Sequence, residues 1–152
     1  MAPFRFRPQP ALDLRKRQEE AAAAAVAAAR LATEQAEAAR SECQQRFDEA
    51  GRRAAEADAA GGEVTIAIWY RNWMRSQRRE LARAEAIAED RRVMLRDAES
   101  RLVDARRRVR VLERLRERAW DAHQRREREA EQKALDELAG LQFAIRQRGE
   151  SA

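Results

Sequence analysis

The pair Gly61-Gly62 is the one place where this sequence is equipped to reverse direction. It is the only adjacent glycine pair, it follows ADAA, and the composition changes after it. On either side the chain reads as helix. Pro8 and Pro10 forbid a stable helix before about residue 10, because proline lacks an N–H and clashes with the preceding turn. From Ala11 onward only the isolated Gly51 interrupts a run of good helix formers, at roughly 1 kcal/mol relative to alanine. After Glu63 helical sequence resumes and continues to about Arg148, where Gly149 closes it. The spacing predicts helix 1 over about 11–59, a turn over about 60–63 and helix 2 over about 64–148, with 1–152 forming a single coiled-coil domain.

Two helices joined by a short turn must run antiparallel, and what they can bury decides how they pair. Charged residues make up 39% of the chain and large apolar residues are spread thinly, so a thick core is excluded. A narrow seam is not. In helix 1, Ala25, Ala28, Ala32, Ala36, Ala39, Cys43, Phe47, Ala50, Ala54 and Ala57 recur at intervals of 3 or 4, close to the coiled-coil period. In helix 2, Leu95, Ala98, Leu102, Ala105, Val109 and Leu112 do the same, extended by Leu115, Ala119 and Ala122. The predicted fold is therefore all-α, a long antiparallel two-helix coiled-coil hairpin.

The two helices are unequal. Pairing about Gly61-Gly62 sets residue i opposite roughly 123 minus i, so helix 1 runs out while helix 2 continues beyond about residue 122. That overhang, about 35–40 Å at 1.5 Å per residue, still carries an apolar stripe of Ala130, Ala134, Leu138, Leu141 and Ile145. An unpaired apolar stripe points to another molecule covering it, with fraying or self-association as the alternatives.

The residues argue against catalysis. There is one His, one Cys and no glycine-rich phosphate loop, and the many carboxylates sit at helix-surface spacing with Arg partners. No catalytic residue, metal ligand, cofactor or small-molecule substrate is expected. His123 has no second His or Cys at helical spacing, and Cys43 reads as a small buried apolar residue. The net charge of +5 permits acidic partners. The densest basic run, Arg106 to Arg118, could contact phosphates. It is broken by Glu113 and Glu117 and has no interleaved aromatics, so a solvated face is preferred to a nucleic-acid site. After the turn, Ile66, Ile68, Trp69, Tyr70, Trp73 and Met74 cluster within nine residues. Ile66, Tyr70 and Trp73 share a face and Trp69 points elsewhere. An alanine-rich partner cannot cover them all, which makes them candidate interface anchors.

Three stretches together resemble the flagellar export protein FliJ family. They are the opening FRFRPQPALDLRKR, with Phe4, Phe6, Leu12, Leu14 and Arg15; the central WYRNWMRSQRRELARAE; and LERLRERAWDAHQRREREAEQKALDELA towards the end. The resemblance implies a non-enzymatic stalk of the flagellar type III export ATPase. Such a protein binds the ATPase ring, promotes its assembly, links it to the membrane export gate and handles export chaperones. It also implies an ATPase-binding surface of Leu12, Leu14, Arg15, Gln132, Lys133, Asp136 and Glu137, and an export-gate surface of Tyr70 and Trp73. Pro8 and Pro10 depart from the family pattern, and Gln77 and Glu80 complete a gate surface only weakly. The expected location is cytoplasmic, peripherally associated with the inner membrane, since no window approaches a spanning helix and no signal-peptide core is visible. The alternatives are the equivalent stalk of a virulence secretion system, an Arg-rich nucleic-acid-binding protein, or a self-associating rod.

Overall fold

The computed structural model describes residues 3–150, without the side chain of Glu150. Two helices, α1 (Gln9–Ala59) and α2 (Val64–Glu150), pack against each other as a helical hairpin, and the described residues contain no strand. Helix α1 begins within the Pro8–Pro10 segment. The Pro8 carbonyl accepts the first helical bond from Leu12 N at 3.1 Å, and Pro10 falls in the first turn, where its missing N–H would have no partner anyway. Helix α2 passes through Gly149 to Glu150, so that glycine does not end it as expected.

Helix α1 is terminated by a specific device. Gly62 N donates to Ala57 O at 3.3 Å and Gly61 N to Asp58 O at 3.2 Å, the paired bonds of a Schellman motif. Gly61 has φ +73°, a left-handed conformation that costs a side chain roughly 1–2 kcal/mol. Glu63 then opens α2, its carbonyl accepting from Ile66 N and Ala67 N.

The contacts divide the chain into two compact units. The first unit, Gln18–Ala105, contains the turn. Here α1 buries or half-buries Ala22, Val26, Ala29, Thr33, Ala36, Arg40, Cys43, Phe47, Ala50, Ala54 and Ala57, alternating by 4 and 3 throughout. Of the seam expected from sequence, Ala32, Ala36 and every position from Cys43 onward are covered. Ala25, Ala28 and Ala39 are exposed. In an unbroken alanine run every frame offers a small residue, and the frame is fixed instead by Val26, only 4% exposed, with polar residues filling other seam positions. Thr33 fits one of these because its hydroxyl lies 2.8 Å from Ala29 O and 3.2 Å from Arg91 O across the seam. Facing it, α2 buries Ala84, Ala88 and Leu102 and half-buries Leu95 and Ala98.

Cross-helix pairs fix the register. Thr33 meets Arg91, Arg46 meets Glu80 at 3.9 Å, Arg40 meets Glu85 at 3.9 Å, and the Arg78 guanidinium lies 5.9 Å from the Phe47 ring centre. These residues stand opposite at 124 to 126 minus i, one to three residues beyond the expected 123. Arg30–Glu99 and the Arg92–Glu37 pair reach to 129, because long side chains slant along the helix to meet. All are exposed or half-exposed, so each adds little stability; they set alignment.

The second unit comprises, among the described residues, 3–17 and 106–150. Its core is Leu12, fully buried, and Val109, 4% exposed. Lys16 Nζ lies 3.5 Å from Glu113. Leu112, Ala119 and Ala122 are half-buried as expected, but Leu115 is 46% exposed. The 3–4 alternation from Val109 and Leu112 steps to Arg116, not Leu115, which turns the leucine outwards.

Candidate functional surfaces

Helix α2 outlasts its partner, though later than the expected residue 122. The chain before α1 extends the cover: the Phe4 ring sits edge-on to Trp120 with centroids 5.0 Å apart, and 5.5 Å from the His123 ring. His123 Nε2 lies 3.4 Å from Glu127 Oε1 one turn on, and both side chains are about three-quarters covered. A cleft of about 550 Å³ lies against this cluster, lined by Phe4, Trp120, Lys16, Glu113, Arg116 and Glu117. Nothing in the sequence paired Phe4 with Trp120, because the contact bridges an extended segment and a helix with no shared periodicity.

Every residue from Arg128 to Gly149 is exposed. Leu138, Leu141 and Ile145 of the expected stripe are 58–70% exposed, as are Leu135 and Phe143 off it. Among the described residues nothing covers this face. Gln132, Lys133, Asp136 and Glu137 all stand on this exposed length of α2, in two pairs. Gln132 Nε2 donates to Asp136 Oδ1 at 2.9 Å on the side away from the stripe. Lys133 and Glu137, also one turn apart, lie along a different flank.

The expected companions of these residues from α1 are not beside them. Leu12 is fully buried and can only support a surface, while Leu14 is 51% exposed and Arg15 is half-buried. Their neighbourhood on α2 is fixed by Lys16–Glu113. From Glu113 to Gln132 the helix climbs about 28 Å, so the seven residues do not form one patch.

The aromatic residues lie in the other unit. Tyr70 and Trp73 are half-buried with ring centroids 5.9 Å apart. Trp69 is 59% exposed, yet its ring is 5.0 Å from Tyr70 and 5.4 Å from Trp73. It is therefore part of one three-ring cluster, contrary to the helical-wheel placement, because a ring large enough to lean across a neighbouring face is not held by its Cβ direction. Ile66 and Ile68 add 45% and 48% exposed side chains. Glu80 is engaged by Arg46, and Gln77 lines a cleft with Trp73.

No group of three or more His, Cys, Asp or Glu side chains among the described residues could hold a metal ion. Cys43 is buried in the seam, with Arg46 Nη2 3.2 Å from its sulfur. No described helix is long and apolar enough to cross a membrane. These surfaces are suited to holding other macromolecules: an exposed leucine stripe edged by charge, and a cluster of indole and phenol rings.

Comparison with protein families matches residues 5–148 to the family described as flagellar FliJ protein. No curated protein and no solved structure matches the chain.

Proposed function

The chain belongs to the flagellar FliJ family, which makes it a component of the flagellar export apparatus, and we propose that it serves there as the central stalk of the export ATPase. In this reading the protein is not an enzyme. It promotes assembly and turnover of the ATPase ring and connects the ring to the membrane export gate and to export chaperones. It works in the cytoplasm, peripherally associated with the inner membrane.

One observation carries the reading: the uncovered length of α2 after Glu127, with its leucines exposed and its helix intact. Burying that stripe against a partner removes apolar surface from water at about 25 cal/mol per Å², a gain unavailable within the hairpin. The ATPase contact is assigned to this length of α2: the stripe, Lys133 and Glu137 on its flank, and Gln132 and Asp136 on the opposite side of the helix. Leu14 and Arg15, on α1 beside a point of α2 about 28 Å below Gln132, would meet a separate part of the ring, with Leu12 holding their helix in place. Tyr70, Trp73 and, newly, Trp69 form the surface offered to the export gate.

The test is the turnover of the same organism's export ATPase with the intact chain, with a chain ending at Glu127, and with Gln132→Ala combined with Lys133→Ala. Stimulation or ring formation by the intact chain alone supports the reading. Equal stimulation by the shortened chain would remove the overhang from it, and no complex with any form would overturn the stalk proposal.

A further inference from the structure

The thirteen residues Arg106–Arg118 hold seven arginines against two glutamates, so they carry the entire net charge of +5. The rest of the chain balances 25 basic residues against 25 acidic ones. The arginines are all exposed, while Glu113 is half-buried and occupied by Lys16. Their arrangement on α2 is not uniform. Arg107, Arg110, Arg114 and Arg118 step by 3, 4 and 4, which keeps them on one face, turned away from the buried Val109. Val111, 66% exposed, and Leu115, 46% exposed, adjoin that ladder. The displacement of Leu115 from the seam therefore places it where it flanks the arginines.

We infer that this face of α2 docks directly on an anionic lipid surface. Charge complementarity calls for an acidic partner, and the aliphatic side chains choose among acidic partners. Arginine head groups pair with lipid phosphates while Val111 and Leu115 enter the boundary between head groups and acyl chains, as on an interfacial helix. A nucleic-acid backbone would use the arginines but leave both aliphatic residues in water, and no aromatic ring stands on this face for base stacking. The inference does not depend on the stalk reading, since lipid contact uses none of the residues assigned to the ATPase or the gate.

The test is co-sedimentation of the full chain with vesicles of phosphatidylcholine alone and with about a third phosphatidylglycerol, across a salt series. The expected result is binding to the anionic vesicles only, weakened by salt. The triple change Arg110→Gln, Arg114→Gln and Arg118→Gln should lower affinity on the order of a hundredfold, and Val111→Ser by a smaller factor at unchanged charge. Circular dichroism confirms that the variants remain folded, and stimulation of the ATPase in lipid-free solution stays at the intact level. No sedimentation with anionic vesicles at physiological salt overturns the inference. So does binding that is indifferent to the triple change. A duplex DNA bound more tightly than the vesicles, with Val111→Ser without effect on either, replaces it with a nucleic-acid face.

Discussion

The Phe4 ring meets Trp120 edge-on, centroids 5.0 Å apart and planes at 80°. This contact holds the segment before α1 against α2 and supplies cover that a helix starting at Gln9 cannot give. Edge-to-face aromatic pairs contribute roughly 0.5–1.5 kcal/mol beyond the area they bury. Phe4→Ala should therefore loosen the neighbourhood of Trp120 and His123 by about 1–2 kcal/mol. Amide exchange over residues 117–124 should accelerate, with the unit Gln18–Ala105 unaffected. Unchanged exchange would mean the arm contributes nothing to the cover.

The alanine seam makes a sharper prediction. Ala50 and Ala88 are fully buried and Ala36 is 9% exposed, whereas Ala28 and Ala39 face water. Enlarging a seam alanine pushes two close helices apart, at about 1–3 kcal/mol. Ala36→Leu and Ala50→Leu should lower the urea midpoint accordingly, while Ala28→Leu and Ala39→Leu stay within about 0.5 kcal/mol. Equal losses at all four positions would restore the seam that the alanine spacing alone suggested.

That contrast shows what the sequence made legible. The turn, the helix pair and the α2 seam from Leu95 to Leu112 follow from a glycine pair and from leucines that contrast with charged neighbours. The early half of the α1 seam did not, because AAAAAVAAAR offers no contrast and the true frame admits Arg40 and Thr33. Of the candidate surfaces, the overhang was readable from unequal helix lengths. Its end point was not, since Phe4 reaches it from outside any helix. The separation of Leu14 and Arg15 from Gln132 was implicit in the same lengths, but a shared role suggested by family resemblance obscured it.

Two carboxylates give the stability a pH dependence of known sign. Hydrogen bonds from Arg52 and then Arg53 hold Glu49 below its ordinary value of 4.5. Arg92 and then Arg96 do the same for Glu89. A folded pKa below the unfolded one means their contribution is complete above 4.5 and is lost as pH falls through the lower, folded value. Glu89 is exposed and Glu49 only partly covered, so the effect is small and screened by salt. The urea midpoint of the intact chain should thus fall more steeply below pH 4.5 than that of the Glu49→Gln, Glu89→Gln variant, with the difference vanishing at high salt. Parallel curves at low salt would show that these pairs do not form in solution.

The overhang predicts a separation of helix from stability. Residues 128–149 are helical yet make no covering contact, so their order rests on propensity and on i to i+4 pairs such as Gln132–Asp136. A stretch of that length is marginal in water without tertiary packing. In the isolated protein its amides should exchange close to the unfolded rate, while those around Leu102 and Val109 are protected. A chain ending at Glu127 should keep the melting midpoint of the full chain within about 2 °C, because no buried residue is removed. The binding partner should reverse the first result and not the second: on complex formation, protection should spread from Glu127 towards Ile145 as the exposed leucines are covered. Strong protection across this stretch in a verified monomer would show that the overhang is held by the chain itself.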